Sequence, residues 1–146
     1  MTKRNQFKQA LQRTKTQFGL WQGIPDTTVA EIGAGAGFDW VLIDAEHGPF
    51  DVRSVMAHLQ AIEPYPVSAV VRPVEGSTAL IKQLLDIGAQ TLLVPMVDTA
   101  EQAKQIVAAS KYPPVGCRGL VTSMARAANW NRDQDYLSNA NDEICV

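Results

Sequence analysis

Apolar positions along this chain follow two alternating patterns. Unbroken apolar runs occur at 17–21 (Q-F-G-L-W), 40–45 (W-V-L-I-D-A), 67–72 (V-S-A-V-V-R) and 91–97 (T-L-L-V-P-M-V). Runs this short, apolar throughout rather than alternating, predict strands of a parallel sheet covered by helices. Between them the apolar residues recur every three or four positions. That spacing predicts helices over 26–36, 51–63, 77–87 and 99–110. Asp26 or Thr27 would cap the first of these and Thr99 the last; Gly37 would stop the first, and Gly88 the third. Val52, Val55, Met56, Leu59 and Ile62 form the inward face of the second, which Pro64 and Pro66 end. Leu80, Ile81, Leu84 and Leu85 do the same in the third. His58 reads as a partly exposed helix residue. A further helix is expected over 132–141, and the final E-I-C-V reads as the start of a fifth strand. The order is a βα unit repeated about four times in one domain, preceded by a short N-terminal helix. A doubly wound open sheet and a β/α barrel both fit this order.

Composition narrows the picture. The 146 residues, 46% of them hydrophobic, are enough for one ordinary domain and give no sign of disorder. A net charge of −2 makes no electrostatic case for nucleic acid. The basic residues Lys3, Arg4, Lys8, Arg13 and Lys15 fit the solvated face of the N-terminal helix, with Phe7 and Leu11 turned inward. No run is long and apolar enough to predict a membrane span, and the first residues lack the apolar stretch of a signal peptide. Cys117 and Cys145 have no metal or redox spacing, so reduced thiols in a cytoplasmic protein are expected. The G-A-G-A-G at 33–37 resembles a dinucleotide fingerprint, but it follows a helix and leads into a strand, the reverse of the phosphate-binding order. Small residues there would let a helix pack closely on a strand. Trp40 and Trp130 carry no chemistry that spacing can assign.

The candidate chemistry lies at the strand ends. In β/α barrels, reactive groups sit at the C-terminal ends of the strands and on the loops that follow. Those ends hold Trp21, then Asp44, Glu46 and His47, then Arg72. A histidine can accept a proton near neutral pH. An arginine offers a fixed cation and a planar fork of donors that can hold a carboxylate or an enolate oxygen. Together they suit proton abstraction and carbon–carbon chemistry beside a carbonyl. The plainer alternative is a histidine capping the next helix and an arginine in a structural ion pair. Asp86, in the last turn of its helix, opposes the helix dipole, and on spacing alone it is a surface aspartate.

The segments G-L-W (19–21), G-F-D-W-V-L-I-D-A-E-H-G-P (37–49), V-V-R-P (70–73), I-K-Q-L-L-D-I-G-A-Q-T-L-L-V-P-M-V (81–97), Y-P-P-V-G-C-R-G (112–119) and A-R-A-A-N-W-N-R (125–132) resemble the HpcH/HpaI aldolase family in order and spacing. The resemblance implies an α/β fold, the N-terminal half of a (β/α)8 barrel. It implies a class II pyruvate aldolase that cleaves 4-hydroxy-2-oxo acids, such as 4-hydroxy-2-oxoheptanedioate, to pyruvate and an aldehyde in the catabolism of aromatic compounds. It implies a divalent metal cofactor, Mg²⁺ or Mn²⁺ or else Co²⁺. By the same resemblance His47 is the proton acceptor, Arg72 stabilises the transition state and Asp86 raises the basicity of the histidine; Trp21 and Asp44 line the substrate site. The family is roughly twice this length, and its metal ligands are expected beyond Val146; Glu143 is a poor substitute. A half-barrel needs a partner, so a homo-oligomer or a complementing half-barrel is expected. A catalytically incomplete assembly module and a citrate lyase-type carbon–carbon lyase are the alternatives.

Overall fold

The computed structural model describes residues 4–146. The elements are α1 (Gln6–Gln12), β1 (Gly19–Gln22), α2 (Thr27–Ala34), β2 (Trp40–Asp44), α3 (Val52–Ile62), β3 (Ser68–Arg72), α4 (Thr78–Asp86), α5 (Ala100–Ser110) and α6 (Tyr136–Glu143), with a 3₁₀ turn at Arg126–Ala128. The three strands form one parallel sheet in the order β1-β2-β3. Val41 pairs with Leu20 and Ala69, and Leu42 pairs with Trp21 and Val70. Paired residues in parallel strands share a face, and alternate residues change face. Val41, Ile43 and Val71 therefore point to the helices and join Ala30, Val55, Leu59, Ile81, Leu84 and Leu85 in the main core. Trp21, Leu42, Val70, Asp44 and Arg72 share the opposite face.

Helix boundaries follow the polar caps. Asp26, Asp51, Ser77 and Thr99 each accept a backbone N–H of the helix they open. Asp51 and Thr99 form reciprocal capping boxes with Ser54 and Gln102, which fixes where α3 and α5 begin. The small residues at 33–37 behave as a packing device. A Cβ on Gly33 would stand 2.2 Å from the Gln22 side chain and 2.9 Å from that of Leu20, so glycine lets α2 lie directly on β1.

Four expectations need correction. His58 is 1% exposed, on the inner face of α3. Leu11 is exposed, while Phe7 stacks on Trp40 with ring centroids 5.9 Å apart; Lys8, although basic, donates to the carbonyls of Asp142 and Ile144. Lys3 lies outside the described residues. The strand expected over 91–97 shrinks to two bridges, Leu92 with Val71 and Thr91 with Cys145. Beyond them Met96 adopts a left-handed backbone (φ 57°) and is 80% exposed, so the segment leaves the sheet. The last helix starts at Tyr136 rather than 132, because Asn129, Trp130 and Asn131 form a left-handed turn just before it. Cys145 makes a parallel bridge with Thr91, at the place where the final residues suggest the start of a fifth strand.

Candidate active site

Parallel pairing sets Asp44 directly beside Arg72, at the C-terminal ends of β2 and β3. The Arg72 fork holds the carboxylate in two places, Nε to Oδ1 at 3.0 Å and Nη2 to Oδ2 at 2.7 Å. The Trp21 indole Nε1–H donates to the same Oδ2 at 2.9 Å, and its ring lies 4.7 Å from the Arg72 guanidinium carbon. The backbone N–H groups of Glu46 and His47 donate to Oδ1. Asp44 is thus nearly buried and fully engaged. The Arg72 guanidinium, ahead of the Trp21 and His47 donors, holds its carboxyl far below the usual carboxylate range, although burial alone would raise it. Asp44 in turn raises the Arg72 pKa, so the guanidinium is a permanent cation.

Glu46 completes the cluster. Its Oε2 lies 2.8 Å from Arg72 Nη1, an ion pair set off the axis of a well-aligned hydrogen bond. Its Oε1 lies 3.9 Å from His47 Nε2. The His47 side chain is 74% exposed, so its ring is open to solvent and to any molecule entering the mouth. The backbone turn that presents it is tight. A Cβ on Gly48 would stand 2.4 Å from the Asp44 carbonyl oxygen and 3.0 Å from that of Gly23. Only glycine fits where the two loops cross.

The structure thus brings together four of the five expected site residues: Trp21, Asp44, His47 and Arg72. Asp86 is elsewhere. It ends α4, which runs against the strands, and its Oδ1 accepts from Arg118 Nη2 at 2.7 Å. Arg118 is wholly buried, with the Tyr136 hydroxyl 3.2 Å from Nη2 and the Tyr112 ring 4.3 Å from its guanidinium carbon. Within the chain, Asp86 meets an arginine and not His47. Two residues escaped the sequence reading. Glu46 stands next to His47 and had the same strand-end signal, without a role. Arg118 gave no signal, being a single arginine in a Pro- and Gly-rich loop.

No three His, Cys, Asp or Glu side chains are grouped to hold a metal ion among the described residues. The two carboxylates of the site, Asp44 and Glu46, are already neutralised in part by Arg72. The side chains present do not by themselves fit the divalent ion that the resemblance implies. Both cysteines are free. Among the described residues no helix is long and apolar enough to cross a membrane.

Comparison with known proteins shows what the chain is similar to. The chain is 61% identical, over 142 residues, to a hydroxypyruvate/pyruvate aldolase of Deinococcus radiodurans, covering 97% of this chain and 51% of that protein. It is 54% identical to a 2-keto-3-deoxy-L-rhamnonate aldolase of Klebsiella pneumoniae, with 97% and 53% covered. The chain spans about half the length of the curated relatives it matches. A crystal structure of an HpcH/HpaI aldolase/citrate lyase family protein from Burkholderia cenocepacia superposes with a TM-score of 0.91 at 38% identity, covering 96% of this chain and 57% of that one. These neighbours are β/α barrels, and the chain accounts for about half of one. The sequence pattern of HpcH/HpaI aldolase/citrate lyase matches residues 17–146, and the chain belongs to that family.

Proposed function

We propose that this chain carries the proton-transfer and charge-stabilising groups of a metal-dependent aldolase acting on a 2-oxo acid. The observation that carries the reading is the Arg72 guanidinium, fixed at the strand ends by Asp44, Glu46 and Trp21, beside the solvent-open imidazole of His47. In the cleavage direction His47 takes the proton of a C4 hydroxyl. The C3–C4 bond breaks, its electron pair forms the C2–C3 double bond, and the C2 carbonyl oxygen becomes an enolate. Arg72 faces that developing charge. The C4 fragment leaves as an aldehyde, and protonation at C3 gives the 2-oxo acid. Asp44 takes no part in proton transfer, because its carboxylate stays ionised and bonded; it holds the arginine in place.

The relatives are named for hydroxypyruvate, pyruvate and 2-keto-3-deoxy-L-rhamnonate, so pyruvate or hydroxypyruvate is the 2-oxo acid we assign. 4-Hydroxy-2-oxoheptanedioate stands as one cleavage substrate to try. The divalent ion would be held by side chains other than the cluster described. When bound, it would supply Lewis-acid polarisation of the 2-oxo group.

The test is exchange of the C3 protons of pyruvate for deuterium, followed by NMR with Mg²⁺ or Mn²⁺. Exchange needs only the enolate step and is independent of the aldehyde. If a metal ion is held, this chain exchanges and His47→Ala is slower by about 100-fold or more, the range of general-base contributions. Exchange in both proteins at one rate would remove His47 from the role. No exchange in either would show that these residues do not catalyse enolisation by themselves.

A further inference from the structure

His58 is a buried titratable side chain that the proposed chemistry leaves unused. It sits on α3 with the Phe50 ring edge-on at 4.9 Å. Its Nε2 lies 3.2 Å from the carbonyl oxygen of Ile24, in the loop between β1 and α2. Its Nδ1 lies 3.2 Å from the carbonyl oxygen of Ser54, one turn back in its own helix. Phe50 belongs to the other loop, between β2 and α3, which also carries Glu46 and His47. The two loops meet at Gly48, where a Cβ would stand 2.9 Å from Phe50 and 3.0 Å from the Gly23 carbonyl oxygen. One imidazole therefore touches both loops of the candidate site, from below.

Both ring nitrogens face acceptors. A neutral imidazole carries a single N–H, so it can satisfy one carbonyl while the other meets a lone pair. A second proton satisfies both. The charged group facing the ring from the α2 side is Asp26, the N-cap of that helix. Its carboxyl is held low chiefly by the Thr28 backbone N–H and hydroxyl. On its own helix, Asp51 is committed to the capping box with Ser54. Phe50 presents an uncharged ring.

We propose that His58 is a positioning residue for the candidate site, clamping the loop after β1 to the loop after β2, with the clamp complete only when both ring nitrogens are protonated. The inference concerns the order of the loops rather than turnover, so it stands or falls separately from the aldolase reading.

The experiment is hydrogen exchange by NMR on this chain across pH, reading the amides of Asp26, Gly48 and Phe50, which bond to Ile24, Asp44 and Gly48 carbonyls. Long-range ¹H–¹⁵N spectra report the protonation of His58 in the same samples. A His47→Gln background removes the other of the two histidines. Protection of these amides, corrected for intrinsic rates, should fall by about tenfold as His58 loses its second proton, the effect of one hydrogen bond. His58→Gln should abolish the pH response, and His58→Phe should lower protection at every pH while the α3 amides stay protected. Should His58→Phe fail to fold, the Gln variant alone decides. Equal protection in wild type and variants, or protection unchanged while His58 titrates, would overturn the proposal.

Discussion

Asp44 accepts from five N–H groups, three on side chains and two on the backbone. Such a carboxylate is costly to neutralise, because its neighbours remain buried and polarised toward it. Asp44→Ala is expected to lower unfolding free energy by about 2–4 kcal/mol, since the Arg72 cation loses its main partner in a largely dry site. Urea midpoints measure this. The pH dependence has a definite sign. The folded carboxyl ionises well below its unfolded value of about 3.9, so its contribution is fully present above that pH and is lost as pH falls below it. Asp44→Asn should flatten that part of the acid limb in a stability-against-pH series. A wild-type acid limb unchanged by the substitution would mean that the Arg72 pair does not hold in solution.

Among the elements, α4 and the segment after α5 are joined through Asp86 and Arg118. Arg118 is buried, its Nε and Nη1 have no hydrogen-bond partner among the described residues, and Asp86 is the charge paired with it. Removing one side of such a pair leaves the other charge unbalanced, whereas replacing both with apolar groups is often neutral. Asp86→Ala should therefore cost about 3–5 kcal/mol, and Asp86→Ala combined with Arg118→Met should recover most of it. Thermal melts of the two single variants and the double variant test this. If instead Asp86→Ala melts like wild type, the carboxylate is free for another role, such as the effect on the histidine's basicity that the resemblance implies. Secondary structure was readable at this scale because capping and period are local. Asp26, Thr99 and the inward residues of α4 stand where the spacing puts them. The strand over 91–97 was misread, because its apolar letters match those of β2 and β3, while only pairing with a neighbour makes an extended segment a strand.

Across the whole molecule, Asn5, the N-cap of α1, joins the two ends of the described chain. The Asn5 side chain, 4% exposed as a residue, donates to Thr91 Oγ1 at 3.0 Å and to the Glu143 carbonyl oxygen at 2.9 Å; its backbone N–H meets the Glu143 carboxylate. Asn5→Ala should cost about 1–3 kcal/mol and loosen the bridge between Thr91 and Cys145. Thiol labelling reads that loosening directly. Cys117 is exposed, whereas burial raises the Cys145 thiol pKa. At neutral pH Cys117 should react promptly and the half-buried Cys145 more slowly, and Asn5→Ala should speed Cys145 alone. Equal acceleration at both thiols would point to global unfolding.

The sequence by itself determined what depends on neighbours in the chain: the βα alternation, most helix boundaries, and the placing of Trp21, Asp44, His47 and Arg72 at strand ends. Period, capping and turn chemistry act over a few residues, so they can be read in order. Tertiary structure decided what depends on approach across the fold. It sealed His58 between two loops, paired Asp86 with an arginine 32 residues on, and gave Glu46 its arginine. Burial and ion pairing depend on distance in space, and a single sequence records that distance only through residues that happen to leave a local mark.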